Sequence, residues 1–252
     1  MRPRKLTIIH RAQLLVRRRT DMVHRVISDA HRQGGLPAAL GQAVRLVGEL
    51  VARPAHRWRE HRLDRRWNLD TRAEVDAGGS AAAMFDDAVD YSPIPVHHFR
   101  NLLQALPVDH PPEFTFVDLG CGKGRTLVLA ARHGFARVIG VELDPRLSGI
   151  AHNNAAAYAA ASPGGDPVIS VVNTDAATHT FPPVPTVVFM FNPFGADTLA
   201  SVAQGLERSL KETPRRLVIG YFNPVHRGVL DASPVLRRRD LTRHWAIYEA
   251  VG

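Results

Sequence analysis

Short apolar runs alternate with stretches of helical apolar spacing from about residue 96 to the end of the chain, an order that predicts strands and helices in turn. Val96 to Leu106 reads as a helix, and Phe114-Thr-Phe-Val-Asp-Leu119 as a buried parallel strand with a glycine-rich turn behind it. Thr126 to His133 has helical spacing, and Ala136 to Val141 is a second strand that ends in Glu142. Asp144-Pro145 is an N-terminal signal for a helix running to about Ala161, stopped by Ser162-Pro-Gly-Gly165. Val168 to Val172, Thr186 to Phe191 and Arg215 to Phe222 complete five strands, with a helix over Ala196 to Leu210 between the last two. Val235 to Arg239 and Trp245 to Val251 read as a terminal antiparallel hairpin. The expected fold is a doubly wound, Rossmann-like α/β sheet.

The N-terminal part has a different pattern. Leu6, Ile9, Ala12, Val16, Val23, Val26 or Ile27, and Ala30 recur at helical steps, so residues 5–32 read as an amphipathic helix, which Gln33-Gly-Gly-Leu-Pro37 stops. Leu40, Val44, Val47 and Val51 suggest a second helix before an arginine-rich run. Residues 1–72 therefore form a basic helical appendage, 73–107 a lid or pre-motif segment with a loose Ala/Gly/Ser-rich stretch, and 108–252 the main domain.

Charge sharpens this division. Residues 1–72 hold 17 Lys and Arg against 6 Asp and Glu, whereas the remainder holds 15 against 18. A basic surface of this kind fits RNA, an anionic lipid surface or an acidic peptide. It also fits a solvated helix face that packs on the main domain or pairs two subunits. The second reading is preferred, because the stretch lacks the stacking aromatics of single-stranded nucleic-acid sites.

With 252 residues and 45% hydrophobic content, the chain can bury one sizeable core. The single cysteine, Cys121, excludes an intrachain disulfide and a cysteine-based zinc site and fits a reducing cytoplasm. No apolar run reaches the roughly 18 residues of a membrane helix, and no signal peptide is expected.

The candidate chemistry begins at Asp118-Leu-Gly-Cys-Gly-Lys-Gly124. Gly120, Gly122 and Gly124 allow a sharp turn with no Cβ in the way of a ligand, which the next helix N-terminus faces. Glu142 follows 18 residues beyond Gly124 and reaches ribose hydroxyls in a βαβ unit of this kind. The pattern resembles the first motif of the class I S-adenosylmethionine-dependent methyltransferases, and the terminal hairpin resembles their seven-stranded sheet. The resemblance implies S-adenosylmethionine as cofactor and S-adenosylhomocysteine as product. It places Asp118, Gly120, Cys121, Gly122 and Gly124 along the methionine part, Glu142 at the ribose and Asp175 at the adenine amino group, and it requires no metal. Tyr91, ahead of the first strand, would then lie near the methionine end, a simple packing role being equally open.

Asn192-Pro193-Phe194-Gly195, at the carboxyl end of the fourth strand, is the candidate acceptor site. An asparagine oxygen and a carbonyl before proline accept hydrogen bonds from an amine, and an aromatic ring attracts the nascent methylammonium. The stretch is similar to the Asn-Pro-Pro-Phe/Tyr of amino-methylating enzymes, one proline short, and to the strand end of the non-SET histone-lysine methyltransferases. Asn192, which also borders the cofactor, and Phe194 are thus expected to position an amine of a small molecule or peptide for N-methylation. The alternatives are an O-methyltransferase of a natural product and a nucleic-acid-binding module on the same scaffold. His226 has a general base's chemistry but reads as a surface residue.

Overall fold

The computed structural model describes residues 62, 64–71, 93–162 and 168–251. The chain divides into two units, 1–58 and 59–252. The helices expected over 5–32 and 40–51, the loose 73–83 stretch and Tyr91 lie outside the described residues.

Helix α1, Val96–Ala105, turns Phe99, Leu102 and Leu103 inward. Strand β1, Thr115–Leu119, is buried at every position, as a central parallel strand covered on both faces must be. It begins one residue later than the apolar run, because Phe114 closes a 3-10 turn over Pro111–Glu113. Helix α2, Arg125–His133, follows the glycine turn and ends at Gly134 with φ 111°, a left-handed stop that glycine adopts without strain. Strand β2 is Arg137–Glu142. Helix α3, Pro145–Ala161, starts as the sequence signals it: Asp144 accepts a hydrogen bond from the Arg146 N–H and Pro145 occupies the first turn.

Strand β3, Val168–Asn173, lies at the sheet edge, which leaves Val168 68% exposed. Strand β4, Thr186–Phe191, is followed by helix α4, Ala196–Glu212, and strand β5, Leu217–Phe222. The fifth strand starts later than expected because Arg215 folds back on the helix end, donating to the Ser209 and Thr213 carbonyls at 3.0 and 2.9 Å. A short helix, α5, Gly228–Asp231, precedes the hairpin of β6, Leu236–Leu241, and β7, Trp245–Ala250.

The sheet order is β3-β2-β1-β4-β5-β7-β6, with the first five parallel and the hairpin strands antiparallel. This is the expected doubly wound sheet of seven strands. Chain direction across it reverses between β1 and β4, the switch point where such sheets open a crevice at the strands' carboxyl ends. One core layer places Phe99 edge-on to Phe116 and Phe189; the other gathers Leu199, Leu206 and Tyr248.

Residues 64–71, assigned above to the basic appendage, belong to the same unit as the sheet. A helical turn over 64–67 ends at Asn68, and Trp67 meets the Tyr158 ring edge-on at 4.9 Å. Asn154 of α3 both donates to the Asp70 carbonyl and accepts from the Asp70 N–H, each at 2.9 Å.

Candidate active site

A crevice of about 290 Å³ opens at the switch point, lined from the glycine turn, from the end of β2 and from the ends of β4 and β5. The glycine turn is stitched to β2 by backbone: Gly120 and Cys121 both donate to the Val141 carbonyl, at 2.8 and 3.0 Å. Gly120, Gly122 and Gly124 have φ of 78°, 55° and 77°, the left-handed region that glycine enters freely.

Gly120 has a second constraint that the sequence does not reveal. A Cβ on it would stand 2.4 Å from the Cβ of Pro193, so the Asn192-Pro193 turn packs directly on the glycine turn. Gly124 caps α2 against Ala151 and does not line the crevice.

Glu142 is 8% exposed, with Oε2 accepting from the Gly122 N–H at 2.8 Å and Oε1 from the Asp144 N–H at 2.9 Å. Burial raises its carboxyl above the ordinary range against the opposing pull of those backbone donors. Each oxygen keeps a further acceptor direction, which suits the two hydroxyls of a ribose. Asp118 lies deeper, bonded to the Thr126 hydroxyl, and burial pushes its carboxyl up to about 7 while that hydrogen bond opposes the rise. Burial likewise pushes the Cys121 thiol up, so at neutral pH it is an uncharged wall of the crevice. Its sulfur would lie 2.7 Å from a Cβ at position 140, where the chain has Gly140.

Asp175 sits at the head of the 3-10 turn Ala176–Thr178, where Oδ1 accepts from the Ala177 N–H at 2.9 Å; it is not among the lining residues. Phe194 is also outside the lining and packs in the core beside Leu199. The rings that face the crevice from this strand are Phe189 and Phe191.

Asn192 lines the crevice in a left-handed conformation, φ 40°, and its Oδ1 accepts from the Tyr221 hydroxyl at 3.1 Å. Tyr221 is buried, and its phenol oxygen accepts in turn from the His226 N–H at 3.4 Å. His226 thus contributes its backbone to this relay. Burial raises the Tyr221 hydroxyl above the ordinary tyrosine range, so it stays protonated and able to donate.

Sequence reasoning missed Arg125, Tyr221 and Asn223. Arg125 is 3% exposed and lines the crevice, donating to the Thr71 hydroxyl and to the Thr71 and Ile94 carbonyls. Nothing in the spacing points to a partner so far away in the chain. Asn223 did leave a signal, because Phe222-Asn223-Pro224 repeats Phe191-Asn192-Pro193.

A family model described as a methyltransferase domain matches residues 116–213. None of the curated proteins matches this sequence. Among solved structures, PH0226 protein from Pyrococcus horikoshii OT3 superposes with a TM-score of 0.47 at 15% identity, covering 62% of this chain and 89% of that one. A predicted N6-adenine-specific DNA methylase from Listeria monocytogenes str. 4b F2365 gives 0.47 at 18% identity, covering 64% of this chain and 52% of that one. This chain therefore spans about half the length of the Listeria protein. An RNA methyltransferase from Salinibacter ruber, in complex with S-adenosyl-L-homocysteine, gives 0.38 at 24% identity over 63% and 92% of the two chains. The matched segment runs from β1 through α4, across the glycine turn, Glu142 and Asn192, and with it this chain carries a class I S-adenosylmethionine-dependent methyltransferase domain whose cofactor is S-adenosylmethionine.

Proposed function

We propose that the domain methylates an amine nitrogen of a small molecule or peptide, with Asn192 holding the acceptor. The observation that carries this reading is the position of Asn192 in the crevice wall, where Tyr221 orients its carboxamide and Pro193 seats it on the glycine turn. The strained backbone of a non-glycine residue at such a point is a common mark of function.

When bound, S-adenosylmethionine would supply an electrophilic methyl carbon to the acceptor lone pair, the C–S pair leaving on sulfur and the proton of the new methylammonium passing to water. For their part, the protein groups align the partners and exclude water. Glu142 is the residue proposed for the ribose hydroxyls, and Gly120, Cys121 and Gly122 for the methionine part. Asp118 favours the cofactor's ammonium when ionised. Phe191 takes the part expected of Phe194, offering a ring to the cationic nitrogen. Asp175 and Gly124 act at the margin, the first through its turn and the second through the helix start.

The test is incubation with methyl-labelled S-adenosylmethionine and an extract split into protein, nucleic-acid and small-molecule fractions, followed by mass-spectrometric assignment of the labelled atom. Label on nitrogen in the protein or small-molecule fraction is expected. Label on oxygen, or in nucleic acid alone, overturns the reading.

A further inference from the structure

The ends of β4 and β5 carry the same three residues, Phe191-Asn192-Pro193 and Phe222-Asn223-Pro224. Phe191 pairs with Phe222 in the parallel register, so each asparagine stands one residue past a matched position on neighbouring strands. Strands in a sheet run roughly 5 Å apart. Both asparagines leave the strand in the left-handed region, with φ of 40° and 50°, and both line the crevice.

They differ in how they are held. Tyr221 orients the Asn192 carboxamide, whereas Asn223 is anchored by its backbone, its N–H donating to the His244 carbonyl at 2.7 Å and its carbonyl accepting from the Val225 N–H at 2.8 Å. Among the described residues, none hydrogen-bonds the Asn223 side chain, which leaves that carboxamide for a ligand.

We propose that Asn223 is a second acceptor-holding residue, its Oδ1 and that of Asn192 each accepting one N–H of a primary amine. This rests on the amine reading above and narrows it. A neutral primary amine has two N–H bonds and one lone pair, so fixing both N–H bonds fixes the direction of the lone pair. A hydroxyl has one hydrogen and engages only one of the two oxygens, so it gains one hydrogen bond where the amine gains two. A secondary amine fills only one oxygen, so the singly methylated product is held less well than the substrate and transfer stops at one methyl.

The test is calorimetric titration of the full chain with two ligands. One is S-adenosylhomocysteine; the other is sinefungin, the cofactor analogue in which an amine-bearing carbon replaces the methylsulfonium. The analogue presents N–H bonds where the methyl group of the cofactor would stand. The wild type is expected to bind it about tenfold more tightly than S-adenosylhomocysteine. Asn223→Gly, which accepts the left-handed backbone without strain, should abolish most of that preference while leaving S-adenosylhomocysteine affinity unchanged. Asn223→Asp keeps an oxygen acceptor and should retain or increase the preference; a lost preference there overturns the pairing even if the glycine variant fails to fold. If Asn192→Gly removes the preference and Asn223→Gly does not, the pairing is overturned and the amine reading stands. If neither variant alters the preference, both fall together.

Discussion

The two ends of the crevice hold their polar groups by different means. At the end proposed for the cofactor, Glu142 is fixed by backbone N–H groups of Gly122 and Asp144, so its position follows from the course of the chain. At the end proposed for the acceptor, Asn192 is fixed by a side chain, Tyr221, on the neighbouring strand. Backbone anchoring survives replacement of surrounding side chains, while side-chain anchoring is changed by a single substitution. The first suits a cofactor common to many enzymes, and the second suits an acceptor that differs from one to the next.

Gly120→Ala should break the comparison outright, because Gly120 is where the two ends touch. The added Cβ meets Pro193 at 2.4 Å with φ at 78°, and a loss of about 3 kcal/mol in denaturant unfolding, together with loss of cofactor binding, is expected. Asn192→Gly keeps the backbone relaxed and removes the carboxamide. Turnover should fall on the order of 100-fold with the cofactor dissociation constant little changed, as read by single-turnover transfer and calorimetry. Glu142→Gln should do the reverse, weakening cofactor binding about 20-fold and sparing turnover at saturating cofactor. Tyr221→Phe removes only the orienting hydroxyl and should lower turnover about tenfold, with the cofactor dissociation constant unchanged.

The smallest effect concerns pH. Asp118, raised to about 7 in the folded protein, favours the fold while protonated, a contribution fully present below its unfolded value near 4 and lost as pH rises through 7. Between pH 6 and 8 the cofactor-free wild type should lose about 1.4 kcal/mol relative to Asp118→Asn in unfolding titrations. No difference between the two over this range would mean that Asp118 is ionised in the fold.

The glycine-turn end of the crevice was largely legible in the sequence because its determinants are local: Asp118, three alternate glycines and Glu142 fall within one βαβ unit. The hairpin at the far edge was legible for the same reason. The β4–β5 end of the crevice was legible at Asn192 but not at Tyr221, since their contact depends on the pairing of Met190 with Tyr221, a register no spacing announces. Phe194 illustrates the limit, for a phenylalanine three residues past a strand faces the crevice or the core according to how the next helix packs, and here it joins Leu199 in the core. Likewise, a run of arginines read as one basic appendage conceals that Asp70 and Thr71 dock on Lys123 and Arg125 of the glycine turn and the helix behind it.

The most direct test measures cofactor binding and methyl transfer on the same preparations of wild type, Glu142→Gln and Asn192→Gly. The expected result is a crossed pattern: Glu142→Gln loses binding and keeps transfer at saturation, while Asn192→Gly keeps binding and loses transfer. Parallel loss of both quantities in both variants would contradict the division of the crevice into a cofactor end and an acceptor end.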